Sequence, residues 1–195
     1  GTEEDKSHED TFKISADSNP TDWFLVRITY LNATRRRNLD GTDAIYPTFN
    51  FKRYYNANRD RSAVDFLAGL SLIKNLDLEL SYMRGDDKYP TADYGLKNDR
   101  FDSYTADLSY ALGKRTSVFG FYTHELYKGD QASRQSNPDG SFSSDPANDW
   151  TAALQDKVDT FGGGLNASLV KNKLDFNLNY SYSNVKGTSS LYSPP

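Results

Sequence analysis

DTFGGGLNASLVKNKLDFNLNYSYS, residues 159–183, reads in steps of two. Phe161, Gly163, Leu165, Ala167 and Leu169 fall on one side; Thr160, Gly162, Gly164, Asn166 and Ser168 fall on the other. After a short break at Val170-Lys171-Asn172-Lys173 the alternation resumes. Leu174, Phe176, Leu178, Tyr180 and Tyr182 share one side, and Asp175, Asn177, Asn179, Ser181 and Ser183 the opposite one. Successive side chains of a strand point to opposite faces, so this stretch predicts two antiparallel strands with one apolar and one polar face. Tyrosines close the second strand at its far end. Lipid outside, a polar interior and an aromatic girdle between them give this pattern. A soluble antiparallel sheet with one solvated face gives it equally well, so the rest of the chain has to decide.

Three further hairpins follow the same grammar. Residues 8–16 alternate (Phe12, Ile14 and Ala16 against Lys13 and Ser15), 17–21 form a turn by composition, and 23–31 return with Phe24, Val26, Ile28 and Tyr30 opposite Arg27 and Thr29. Val64, Phe66, Ala68, Leu70 and Leu72 lead through Ile73-Lys74-Asn75 to Leu76, Leu78, Leu80 and Tyr82, with Asp65, Asp77 and Glu79 on the polar side. Tyr104, Ala106, Leu108 and Tyr110 oppose Thr105 and Asp107, and 112–115 turn the chain into a strand over 116–126, where Phe119 and Phe121 are expected to face outward. Breaks inside hairpins are short. The polar stretches between them (32–55, 84–99 and 127–156) are long and carry Arg35-Arg36-Arg37, Asp40-Gly41 and Tyr46-Pro47. The units resemble one another, as in LSLIKNLDLELSY (70–82), LSYALGKRTSVFGFY (108–122) and NASLVKNKLDFNLNY (166–180). The expected fold is all-β: an antiparallel up-and-down transmembrane β-barrel, or an open section of one. About eight strands in four hairpins would have short periplasmic turns and long external loops.

Bulk properties fit. Mean hydropathy is -0.76, too polar for a helical membrane protein but not for a barrel, in which only alternate residues meet lipid. No apolar run approaches the roughly 20 residues of a membrane helix. Residues 1–10 are charged, so an export signal is expected upstream of them. Without cysteine the chain has no disulfide, no thiolate metal site and no covalent haem attachment. A net charge of -4 with mixed signs leaves no nucleic-acid footprint. No nucleophile–base–acid set or metal-ligand cluster stands out, so enzyme activity is not expected. His124 reads as a hydrogen-bonded side chain more readily than a haem ligand. Asp86-Asp87 lack the spacing of a calcium loop. Arg35-Arg36-Arg37 read as a solvated loop before a seat for lipopolysaccharide phosphate. Gly162-Gly163-Gly164 are no phosphate loop; they suit strand bending or the close approach of a partner in the lumen.

Ala57-Asn58-Arg59-Asp60-Arg61, Tyr94-Gly95-Leu96, Phe121-Tyr122-Thr123, Asp149-Trp150-Thr151 and Asp159-Thr160-Phe161-Gly162-Gly163-Gly164-Leu165 occur in an order and spacing that resembles the decaheme-associated outer-membrane β-barrel family, the MtrB/PioB type. The likeness spans residues 11–187. It implies a bacterial outer-membrane location, a lumen holding a periplasmic multihaem c-type cytochrome, contact with outer-membrane lipid, and a second multihaem cytochrome at the external loops. Haem would be carried by the partner and none by this chain. Family members are several times longer, so the resemblance implies a piece of a larger barrel. The polar-face residues Lys13, Arg27, Asp65, Asp77, Glu79, Asp107, Asn166, Asp175, Asn177 and Asn179 are the candidates for partner contact. A hydrated, self-paired lumen would be equally polar. The competing reading is a self-contained eight-stranded barrel serving as porin, anchor or adhesion protein; a soluble sheet binding a ligand on its polar face is a third. Pairing of the first strand with the last would distinguish the closed barrel from a section of a wider one.

Overall fold

The computed structural model describes residues 6–38, 51–52, 57–90, 93–135, 137, 143–170 and 173–193. Asp40-Gly41, Tyr46-Pro47 and the Lys171-Asn172 turn lie outside them. Eight long strands form one antiparallel sheet: β1 (Lys6–Thr21), β2 (Phe24–Asn38), β4 (Arg59–Ile73), β5 (Leu76–Lys88), β6 (Tyr94–Ala111), β7 (Thr116–Arg134), β8 (Asp149–Val170) and β9 (Leu174–Tyr192), each paired with the next. A two-residue strand, β3 (Phe51–Lys52), lies parallel to the start of β6. β1 and β9 do not pair with each other among the described residues, so the sheet is open. The short turns stand where expected in the two middle hairpins, and β8 ends at Val170 and β9 begins at Leu174 on either side of the expected fourth. Lys74-Asn75 is a two-residue turn, with Asn75 at φ 71°, a left-handed conformation that asparagine tolerates. In the first hairpin the expected turn at 17–21 is strand instead. β1 absorbs Pro20 at a register shift between Ser18 and Thr21, and the chain reverses at Asp22-Trp23.

The sheet is a single layer. Among the described residues only Ala33, Ala57, Ala68 and Tyr89 are buried apolar residues, while Ile14, Phe161, Leu178 and Tyr180 are 57%, 51%, 57% and 68% exposed. Soluble domains bury an apolar sheet face beneath a second layer. Here that face is a continuous exposed band, which suits lipid.

The upper edge of this band is aromatic on most strands: Phe12, Tyr30, Tyr82, Tyr104, Tyr122, Phe161 and Tyr182, with Val64 completing the series on β4. Tyr82 stacks on Tyr104 and Phe161 leans on Tyr182. Followed across the register, Phe12 on β1 leads to Thr188 on β9, above Tyr182. The edge thus descends by about six residues, roughly 20 Å, across seven strand spacings of about 4.8 Å. A flat membrane boundary then requires strands inclined by roughly 30°, close to the tilt of closed barrels. From Leu174 to Tyr182 the band is roughly 24 Å tall at that tilt, the thickness of an outer-membrane apolar belt.

The strands run well past the band. β7 continues to Arg134 and β8 begins at Asp149, so much of the expected 127–156 loop is ladder; 84–99 shortens to 89–93 for the same reason. Alternation fades there, but opposite charges stand directly across from one another: Glu9 and Arg35, Arg61 and Asp87, Arg84 and Asp102, Asp86 and Arg100, Arg134 and Asp149. Cross-strand pairs of this kind hold register without an apolar face.

Candidate functional site

The register places all ten polar-face candidates on the face opposite the apolar band. Six of them gather at the turn end in two hollows. The larger, about 680 Å³, is lined by Asp77, Glu79 and Asp107 together with Asp22, Trp23 and Phe119. Glu79 stands directly opposite Asp107, two like charges side by side. Asp77 accepts a 2.7 Å hydrogen bond from Ser71. The second hollow, about 460 Å³, brings Asn166, Asp175 and Asn177 beside Lys114 and Arg115. The other four are dispersed. Arg27 donates to Asp17, Asp65 stands between Thr29 and Met83, Lys13 is opposite Leu31 and Asn179 is opposite Gly164.

The wall between the hollows corrects one expectation. Phe119 and Phe121 do not face outward. Phe121 is the register partner of Asp107 and Gly162, and Phe119 that of Ser109 and Gly164, so both rings lie on the polar face. Val118, Gly120 and Tyr122 take the outward positions on β7. A Cβ at Gly162 would meet the Phe121 ring at 2.8 Å, and one at Gly164 the Phe119 ring at 2.7 Å. Each also runs into backbone, the Tyr180 carbonyl at 2.5 Å and the Leu178 carbonyl respectively. Gly85 and Phe101 repeat the device one hairpin earlier. Glycine here admits a neighbouring ring, laid flat on the sheet as an aromatic cover for a bare strand. The close approach expected of a partner is made by the chain's own rings. The register sets Phe-Gly-Phe (119–121) against Gly-Gly-Gly (162–164) in antiparallel order.

Above the band both faces carry charge networks that sequence reasoning read as loop. On the polar face Asp87, nearly buried, accepts two hydrogen bonds from Arg61 at 2.7 and 2.6 Å and lies 3.6 Å from Arg59, which reaches Glu9 at 3.1 Å. The Asp87 contact holds the Arg61 guanidinium above its ordinary pKa. Arg35 donates to the carbonyl of Ala57, which packs with Tyr89 and Leu96. Asp99 is the direct partner of Asp87, and burial and then the Asp87 charge push its carboxyl pKa up. At the summit of β7–β8, Arg134 binds Asp149 in a fork and lies over the Tyr94 ring, whose hydroxyl also donates to Asp149. The Arg134 hydrogen bond holds the Asp149 carboxyl below its ordinary pKa. Asp86 and Asp87 point to opposite faces, each engaged by arginine, and share no site. His124 lies on the outward face, 2.7 Å from Asp159, and cannot reach a ligand in the lumen. Among the described residues no group of three His, Cys, Asp or Glu could hold a metal ion.

The family model described as outer membrane beta-barrel porin, MtrB/PioB, matches residues 2–193. Outer membrane protein MtrB of Shewanella baltica (strain OS185) is 31% identical over 143 residues, which cover 72% of this chain and 19% of that protein. The chain therefore spans about a fifth of the relative's length. Arg59 and Arg61, which meet at Asp87, and Tyr94 and Asp149, which meet each other, all come from the stretches that carry the resemblance. With an exposed apolar belt, an aromatic rim, tilted strands and a match along nearly its whole length, the chain belongs to the MtrB/PioB family of outer-membrane β-barrel porins.

Proposed function

We propose that this chain is a section of the wall of a wide outer-membrane barrel that sheathes and positions a multihaem c-type cytochrome for electron transfer across the membrane. The observation that carries this reading is the open sheet. Eight tilted strands leave β1 and β9 unpaired with each other, which a self-contained eight-stranded barrel would not do. The role is structural rather than catalytic. The lumen face binds no haem of its own; it excludes lipid and fixes where the cytochrome sits, while the redox centres belong to the partner.

The unmatched Glu79–Asp107 pair and the nearby Asp77 suit a basic patch on that partner, at the periplasmic mouth where the cytochrome would enter. No lysine or arginine lines this hollow, so an acidic wall without cations of its own is a place for another molecule's charge. The Phe119 and Phe121 rings would meet apolar surface beside it. A further multihaem cytochrome at the external strand tops completes the path.

Purification of the full-length protein from detergent-solubilised outer membrane, read by haem staining and absorbance, tests this. A stoichiometric c-type haem band is expected, weakened several-fold by Glu79→Lys with Asp107→Lys. A haem-free barrel from cells that express multihaem cytochromes overturns the reading in favour of a porin or anchor.

A further inference from the structure

Just above the aromatic rim the outward face carries charge in two different arrangements. On β5–β6 four residues form a closed square. Arg84 lies 3.0 Å from Asp86 and 3.9 Å from Asp102, and Arg100 lies 3.3 Å from Asp102 and 3.7 Å from Asp86. On β7–β9 the same face holds Lys157 and Lys186, four residues beyond the rim, and Lys128, six residues beyond Tyr122, all exposed. Lys157 stands directly opposite Lys186, and Lys128 is opposite Gln155, two residues from Lys157 on the same face. Among the described residues none of the three lies within 4.0 Å of a carboxylate. Asp159, beneath them, is engaged by the Tyr122 hydroxyl at 2.6 Å and by His124 and also feels the Lys186 charge. Asp130 stands two residues beyond Lys128 on the same face, which leaves three cations to two acids. Like charges directly across a ladder are destabilising unless an anion stands between them.

We propose that Lys128, Lys157 and Lys186 form a seat for the phosphate of an anionic lipid headgroup in the outer leaflet. The inference rests on the outer-membrane placement with the long-strand end outside, and is independent of what fills the lumen. Lys157 and Lys186 each lie four residues beyond the rim residues Phe161 and Tyr182, roughly 13 Å of strand. Their flexible stems bend back along the wall and bring the ammonium groups down to headgroup depth. Phosphate is the anion found there, and the facing Lys157–Lys186 pair, with Lys128 higher on the same face, supplies matching positive charge. The β5–β6 square, already neutral, offers lipid nothing comparable. Each lysine facing an anionic surface contributes about fivefold in affinity, so removal of the facing pair costs roughly thirtyfold.

The test uses full-length protein in phosphatidylcholine vesicles containing bisphosphorylated lipid A, fully dephosphorylated lipid A or neither, extracted gently and read by native mass spectrometry. Wild type should retain the phosphorylated lipid and lose it as salt rises. Lys157→Gln with Lys186→Gln should lower retention about thirtyfold, the corresponding Lys→Arg pair should keep it, and Lys74→Gln at the opposite rim should change nothing. Equal retention by the Gln pair, equal retention of dephosphorylated lipid, or full displacement by millimolar inorganic phosphate overturns the seat. The Lys→Arg pair and the wild-type salt titration decide the matter if the Gln pair fails to fold. Haem content of the same preparations is a separate readout. Loss of haem with lipid retained speaks against the cytochrome reading alone, and loss of lipid specificity with haem retained speaks against the seat alone.

Discussion

The lower and upper halves of the same strands are held by different physics. Below the aromatic rim, residues such as Ile28, Phe66 and Leu80 face outward into an apolar medium, and period-two alternation fixes the register because a one-residue slip would turn charge into lipid. Above the rim both faces are polar, and Arg61–Asp87, Arg84–Asp102, Asp86–Arg100 and Arg134–Asp149 fix it instead. A β-ladder therefore continues past the end of its hydrophobic pattern wherever cross-strand charges agree.

Removing one member of a nearly buried charge group should break the upper half most. Asp87→Ala removes the counter-charge that Arg61 and Arg59 share, leaving Glu9 alone against the two, and should cost about 4 kcal/mol, measured by urea unfolding of the full-length barrel from vesicles. Leu78→Arg, at mid-band, probes the lower half in the same assay and should cost about 3 kcal/mol, while Ser62→Arg on the same face above the rim should stay within about 0.5 kcal/mol. Equal costs at both positions would erase the boundary. Gly162→Ala should cost about 2 kcal/mol, since a methyl group collides with the Phe121 ring and the Tyr180 carbonyl. Phe121→Ala alongside it should recover part of that loss, provided ring and methyl compete for one space.

The smallest effects are those of pH, and they have opposite signs. Asp149 has a lowered pKa, so the Arg134 latch contributes stability above the ordinary carboxylate range and loses it as pH falls through the depressed value. Asp99 has a raised pKa, so its contribution is favourable at low pH and is lost as pH rises through the raised value. Asp99→Asn should stabilise the strand tops by about 0.5 kcal/mol at neutral pH. Hydrogen exchange of the β5–β6 and β7–β8 summits across pH 3 to 7 reads both groups; summits that respond in parallel would contradict the assignment.

Legibility followed the same boundary. Alternation sufficed for four hairpins, for the band on seven strands and for the common face of all ten polar candidates, because one face in lipid makes period two obligatory. It failed on β7. There Phe119 and Phe121 are as apolar as a lipid face demands, but Val118, Gly120 and Tyr122 occupy it, and only the glycines of β8, found through the register, reveal why the rings point inward. It failed again in the stretches read as loops. Ser, Asp, Asn and Arg carry no period there, and their partners lie on neighbouring strands that a single sequence does not align. The turn at 17–21 was misplaced because Pro20 sits at a strand irregularity, where composition resembles a turn. Grouping of Asp77, Glu79 and Asp107 in one hollow depended on the same strand-to-strand register.

The length of β7, β8 and β9 beyond the rim has a consequence for where the pore ends. From Phe161 to Asp149 the chain continues for twelve residues, which at the same tilt carry the wall roughly 34 Å above the acyl region. On the β4–β5 side, from Tyr82 to Lys88, the rise is only about half as large. The upper edge of this section of wall is therefore cut obliquely, high along β7 and β8 and low along β4 and β5.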